Sequence, residues 1–238
     1  MSSTALFLVQ TYCQKQGLPV PTALVGTQEK SVRQFLGMMN DLVLELSEFK
    51  WQGQKIVKTW TALAAQDQGP LTTIFGAGYG ALVPNTLWNQ TRRMRVFGPL
   101  PDTIWQALQV LPNAGPECQS WISGGNLFIS PAPEVTDTLS AVYSTSYGVV
   151  DNSSTAKPYI TEDTDTFVVP DIVMLRGLEY KWKKTKGQPG WEDDYNTFIG
   201  LVAKNMVKDG APEVSLDTPS QSPRPGIIVP AGSWNVSG

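Results

Sequence analysis

The chain has 238 residues, 41% of them apolar and 16% charged, and its 18 lysines and arginines against 21 aspartates and glutamates leave a net charge of −3. That length can bury a sizeable core, and the missing basic excess argues against a protein that wraps nucleic acid by counterion release. There is no histidine, which removes the usual general base and the commonest metal ligand together, and no cofactor is expected. Cys13 and Cys118 stand far apart outside any CxxC pair. Buried free thiols in a reducing compartment are the plain reading, with a disulfide as the alternative. The opening run MSSTALFLVQTYCQ lacks a basic n-region and reads as a helix, not a signal peptide. No apolar run approaches the length of a membrane span, so the expectation is a soluble protein with no membrane partner.

A first helix is predicted from Ser3 to Gln16, with Leu6, Val9 and Cys13 on one side and Gly17 as its stop. The connector GLPVPTALVG follows. Val32, Phe35, Leu36, Met39, Leu42, Val43, Leu46 and Phe49 then recur at three- and four-residue steps, the stripe of a helix packed on a core. From Trp51 to Ala65 the residues of KIVKTWTALAA alternate as in a strand. FGAGYGAL is turn-rich, and Pro101 and Asp102 open a short helix ended by Pro112. SWISGGNLFISPAP is a hairpin signal and TLSAVYSTSYGVV a partner strand, giving a small antiparallel sheet between helical blocks. DNSSTAKP reads as a polar loop. Pro170 and Asp171 open another helix, with Ile172, Leu175, Leu178, Glu179 and Trp182 on one side and Gly187 as its stop. Trp191 to Asp209 forms the last, with Tyr195, Phe198, Ile199, Val202 and Met206 on one face and acids first, lysines last, as the helix dipole favours. After Gly210 the chain turns Pro- and Ser-rich and carries the apolar patch GIIVPAGSW, which suits either a segment that docks on a partner or a passive tail.

Few motifs carry chemistry. GAGYGA fits neither nucleotide-loop spacing. The pairs Asp163/Asp165 and Asp193/Asp194 are sequence neighbours, whereas hydrolysis needs carboxylates opposed across a bond. Without histidine a serine or cysteine nucleophile lacks its usual base, so the chain is not expected to be an enzyme. The basic run KWKKTKG holds Lys181, Lys183 and Lys184. It reads as a solvated helix end, as the partner of Glu192, Asp193 and Asp194 in WEDD, or as a contact to DNA or a neighbouring subunit. The stretch NTLWNQTRRMRVFGPLPDTIWQAL, 85–108, crowds Trp88, Arg92, Arg93, Arg95, Phe97 and Trp105 together. Surface charge, phosphate contacts and interface anchors are the alternatives, and the enrichment of Arg and Trp at interfaces favours the last.

That stretch also resembles the central signature of the head-to-tail adaptor proteins of short-tailed bacteriophages, the head completion or neck family typified by the tail accessory factor of phage P22. There a Trp precedes Arg-Arg, a hydrophobic-aromatic-Gly-Pro-Leu turn follows, and then a helix with an inward Trp. GLPVPTALVG with SVRQFLGMMN, then EFKWQ, AAQDQGPL, NLFISPAP and DTDTFVVPDIVMLRGLEYKWKKTKG with WEDDYNTF are similar in the same order, over roughly residues 1–210. The resemblance implies a structural virion protein at the neck between capsid and tail, assembled in the host cytoplasm. On that resemblance it would form a homo-oligomeric ring of about twelve copies under the portal protein, through which double-stranded DNA would pass without tight binding, and would offer a platform to a tail, nozzle or fibre protein. A tail-tube or terminator protein and a DNA-binding packaging accessory protein are the alternatives.

The expected fold is mainly α, a helical bundle with a small inserted antiparallel β element and an extended C-terminal tail. Residues 1–50 would supply the first bundle helices, 51–160 the β-containing insertion, 161–210 the late helical pair, and 211–238 the tail. Ile227, Ile228, Val229, Pro230 and Trp234 would dock on the portal. Trp88, Arg92, Arg93, Arg95, Phe97 and Trp105 would face a subunit or the tail.

Overall fold

A computed structural model describes residues 2–110 and 117–210. The predicted portal-docking residues Ile227, Ile228, Val229, Pro230 and Trp234, and the helix stop at Pro112, lie outside the described residues.

Four helices build one end of the molecule. In α1 (Ala5–Gln16) the Thr4 hydroxyl accepts from the Phe7 N–H, and Gly17, at φ 66°, closes the helix with its N–H on the Cys13 and Gln14 carbonyls. The stripe read from the sequence makes α2 (Lys30–Ser47), which buries Val32, Phe35, Met39, Leu42, Val43 and Leu46. Phe49 falls beyond its end and is exposed. Two more helices, α5 (Asp171–Thr185) and α6 (Trp191–Lys208), complete the group. Phe35 of α2 stacks on Trp182 of α5 with ring centroids 4.4 Å apart, and Tyr12 of α1 meets both rings edge-on. Of the side expected for α5, Leu178, Glu179 and Trp182 are buried and Leu175 is half-buried, but Ile172 is exposed, and Val173, Met174 and Gly177 are buried as well. At Gly177 a Cβ would lie 2.4 Å from a Leu42 methyl, so the missing side chain is what lets α5 lie so close to α2.

The rest of the chain is a large curled sheet. Its members are β1 (Lys55–Thr61), β2 (Asp67–Pro70), β3 (Tyr79–Leu82), β4 (Trp88–Asn89), β5 (Met94–Phe97), β6 (Cys118–Ser123), β7 (Asn126–Ser130) and β8 (Thr138–Thr145). The order is β1-β8-β4-β5-β6-β7-β2, with β3 also paired to β8. All pairs are antiparallel except β5 with β6, whose parallel pairing follows a crossover through α4 (Asp102–Val110). A 3-10 turn (Gln52–Gln54), a short helix α3 (Leu71–Phe75) and a separate three-stranded sheet of β9 (Val149–Val150), β10 (Ala156–Lys157) and β11 (Thr166–Phe167) complete the described elements. The three-stranded sheet replaces part of the expected polar loop.

This overturns the expectation of a mainly helical bundle with a small antiparallel insertion. The fold is α/β, 39% helical among the described residues, with an eight-stranded mixed sheet curled into a half-barrel. Two apolar cores result. One, around Leu8, Phe35, Leu42, Met174 and Leu178, fills the helical end and reaches Val149 and Phe167; the other, around Leu87, Val96, Leu127, Ile129 and Leu139, fills the concave face of the sheet. The anticipated strand from Trp51 is shorter than expected. Trp51 is buried in the helical core with its Nε1 donating to the Leu46 carbonyl, and pairing begins at Lys55.

The GPL turn after β5 tests the packing. Gly98 has φ 125°, and a Cβ there would sit 2.5 Å from the Ser120 carbonyl oxygen, which accepts from the Leu100 N–H at 2.8 Å. Gly98→Ala is expected to cost about 2 kcal/mol or more through backbone strain and this clash. Urea unfolding would show it as a lower midpoint at unchanged slope.

Candidate functional site

The crowded stretch 85–108 is resolved into β4, a tight turn, β5, the GPL turn and α4. In the turn the Arg92 N–H donates to Asn89 Oδ1 at 3.0 Å, and Arg93 stands at φ 55°, fully at the surface. Trp88 lies opposite Arg95 and Asn89 opposite Met94. Because side chains alternate along a strand, Trp88, Arg95 and Phe97 share the outer face, while Asn89 and Val96 point inward and are buried. The Arg95 guanidinium carbon lies 5.2 Å from the centre of the Phe97 ring, and Trp88 is 42% exposed. The result is an aromatic–arginine patch on the outside of the sheet, in which Trp88 and Phe97 are exposed and Arg95 is half-buried.

Beneath the patch sits a polar clamp. The Asp137 carboxylate, 2% exposed, accepts from Arg92 Nε at 2.9 Å, from Asn89 Nδ2 at 2.8 Å and from the Glu134 N–H at 3.1 Å. Arg92 also reaches Glu134 at 2.9 Å. Burial works to raise the Asp137 carboxyl, but the Asn89 amide, the Glu134 N–H and Arg92 outweigh it and hold the group below the usual carboxylate range. The backbone joins in, with Gln90 N–H donating to the Thr138 carbonyl and Thr138 N–H to Thr91 Oγ1. The hairpin is thereby fixed to the start of β8.

The six residues grouped by the sequence reading thus separate. Trp88, Arg95 and Phe97 form the patch, and Arg93 is exposed at the turn beside it. The charge of Arg92 is matched within the chain. Trp105 is buried, its ring stacked on Trp121 at 5.4 Å, and it packs α4 against the β6–β7 hairpin; Trp121 Nε1 donates to Asp102. Asn89, Glu134 and Asp137 were not singled out from sequence. Their one signal is the short polar turn PAPEVTD, whose partner strand lies far upstream.

The second charged cluster is also resolved. Lys183 pairs with Asp194 at 2.5 Å across the α5–α6 turn, and that hydrogen bond raises the lysine above its ordinary range. Lys181 pairs instead with Glu45 of α2, which also accepts from the Tyr180 hydroxyl at 2.8 Å. Lys184 lies over the Trp191 ring at 5.1 Å, and Glu192 and Asp193 are exposed. An open cleft of about 570 Å³ lined by Glu45, Tyr180, Lys184, Trp191 and Tyr195 borders this cluster.

The acidic loop TEDTDTF serves the backbone. Asp163 accepts from the Leu24 and Val25 N–H groups at 2.9 and 2.8 Å. Asp165, fully buried, accepts from the Thr161 and Glu162 N–H groups and from Lys157 at 3.0 Å. Neither carboxylate faces the other across an open site. Among the described residues there is no cluster of three or more side chains suited to hold a metal, and no helix is long and apolar enough to cross a membrane. GAGYGA enters β3, where Gly80 approaches the Ser144 carbonyl; no helix opens after it to receive a phosphate. No protein-family model matches the chain, and no curated protein matches its sequence.

Proposed function

We propose that the chain is a structural virion protein, a phage head-to-tail adaptor that forms a ring beneath the portal, prolongs the DNA channel and carries the tail. The observation that carries this reading is the Trp88–Arg95–Phe97 patch, with both aromatic rings exposed and Arg95 half-buried, on a hairpin that Asp137 and Arg92 fix to the start of β8. An exposed aromatic–arginine patch on a fixed element has the composition of an interface anchor, because its ordering cost has been met during folding. It lies inside the stretch that resembles the adaptor signature.

A ring needs two different complementary surfaces on each subunit. The patch is one. The cleft beside Trp191 and Tyr195, with Glu192 and Asp193 exposed near it, supplies a second surface of opposite charge. The net charge of −3 suits a channel through which DNA slides, since tight binding would need a basic excess. The segment 226–234 would provide the portal contact.

The test is sedimentation of the purified protein with portal rings and, separately, with duplex DNA at low salt. Co-sedimentation with portal and not with DNA is expected. Tight DNA binding that weakens steeply with salt would replace this reading with the packaging-accessory one.

A further inference from the structure

Strand β1 is an end member of the large sheet, and its outer edge is uncovered among the described residues. The direction of its backbone groups follows from β8. Val142 accepts from the Val83 N–H and donates to Thr86 Oγ1, and Thr138 bonds likewise to Gln90 and Thr91, so both face away from β1. Residues opposite each other in an antiparallel pair either exchange both bonds or neither. Val57 lies opposite Val142, Thr59 opposite Ser140 and Thr61 opposite Thr138, so all three turn their N–H and C=O groups outward. The inward set agrees: Ala62 donates to the Asp137 carbonyl. Lys55 donates its N–H to the Gln52 carbonyl, so the free ladder begins at Val57. Val57 is 70% exposed, and Thr59 and Thr61 are exposed as well. Such an edge is a template for another strand.

Register decides which strand fits it. A second β1, antiparallel and related by a two-fold axis at Thr59, sets Thr59 against Thr59 and Val57 against Thr61 of the other copy. Every outward residue then exchanges both bonds with an outward residue, about six hydrogen bonds in all. An axis at Val57 would need the Lys55 N–H, which the Gln52 carbonyl already holds, and an axis at Thr61 would carry Val57 past the end of β1. Lysine on an edge strand ordinarily discourages pairing, and Lys58 is the one charge between Ile56 and Leu63. With the axis at Thr59 it does not meet its like. Lys58, which is exposed, stands opposite the half-buried Trp60 of the other copy on the same face, and Lys55 lies opposite Leu63. An ammonium beside an indole ring and threonine beside threonine are favourable cross-strand pairs. We infer that two copies of this chain pair through β1 in solution, joining their sheets edge to edge about an axis at Thr59. Such a two-fold contact closes on itself and is independent of any portal contact.

Light scattering and amide exchange on the full chain without portal test this, together with single cysteines on β1. The mass should double as concentration rises, and the Val57, Thr59 and Thr61 amides should then exchange about tenfold more slowly or less. Thr59→Pro removes the central outward donor and leaves the bonds to β8, so this variant should keep the monomer mass. Under mild oxidation Thr59→Cys should cross-link to its like, because the two Cα atoms stand about 5.5 Å apart in such a pair. Val57→Cys should not, since its own copy is about 14 Å away, but should link to Thr61→Cys when the two are mixed. Cys13 and Cys118 are buried and do not compete. A monomer at every concentration overturns the inference, as does association that Thr59→Pro leaves intact. So does a dimer in which Thr59→Cys stays unlinked, or protection of the three amides in a monomer, which would place a segment of the same chain on the edge.

Discussion

Asp137→Ala is expected to lower the unfolding free energy by about 2 kcal/mol, because it leaves the inward Asn89 amide without its acceptor and Arg92 with Glu134 alone. The loss should be largest near neutral pH. A carboxyl held below its unfolded range contributes stability above about pH 4 and forfeits it as pH falls through its folded value. Asp165 behaves in the same sense: burial works to raise it, but the Thr161 and Glu162 N–H groups and Lys157 hold it low. Urea titrations between pH 7 and 3 would therefore show natural and Asp137→Ala proteins converging on acidification, while both still lose the Asp165 contribution. A constant gap down to pH 3 would mean that the Asp137 carboxylate is not held in its charged form by the clamp.

Trp88→Ala should do the reverse, leaving the fold and weakening association. The ring is 42% exposed on the outer face and belongs to neither apolar core, so the urea midpoint should stay close to that of the natural protein. If the patch anchors a neighbour, truncating its largest aromatic should weaken that contact by about 2 kcal/mol, roughly thirtyfold. The readout is the concentration at which portal-bound rings form, followed by light scattering or electron microscopy. An unchanged ring from a fully folded variant would remove the patch from the interface. The pair of variants separates two roles in one hairpin: Asp137 and Arg92 hold it, and Trp88, Arg95 and Phe97 present a surface.

The four long helices, α1, α2, α5 and α6, were legible in the sequence because each repeats its apolar period over three turns or more. The stripe from Val32 to Leu46 needed no tertiary information, and Gly17 marks the end of α1 directly, whereas the start expected at Ser3 falls two residues later, after the Thr4 cap. Even so, the close approach of α5 to α2 could not be read, because the missing side chain of Gly177 becomes meaningful only when Leu42 is opposite it. The β6–β7 hairpin was equally visible through Gly124 and Gly125. The sheet as a whole was not. Strands β2 to β5 have two to four residues each, too few to display an alternation, and they are strands only because β8, β6 and β7 offer them edges. The parallel pairing of β5 with β6 depends on a crossover that reads, locally, as a short isolated helix.

The site shows the same division. Trp88, Arg95 and Phe97 stood out by residue type, but their common face follows from the two-residue period of β4 and β5, which the surrounding turns conceal. Arg92 and Arg93 are neighbours in sequence with opposite fates, one turned onto Asp137 and the other into solvent at a positive φ. Trp105 has the same residue type as Trp88 and a buried place, because α4 lays it on Trp121.

The most direct test of the central claim is the mass in solution of the purified chain, alone and after mixing with the cognate portal ring, by light scattering. A defined complex holding about one copy of this chain per portal subunit, of fixed mass over a range of protein concentration, is expected. Absence of binding to portal at every salt concentration would contradict the adaptor reading and move the protein to the tail side of the particle.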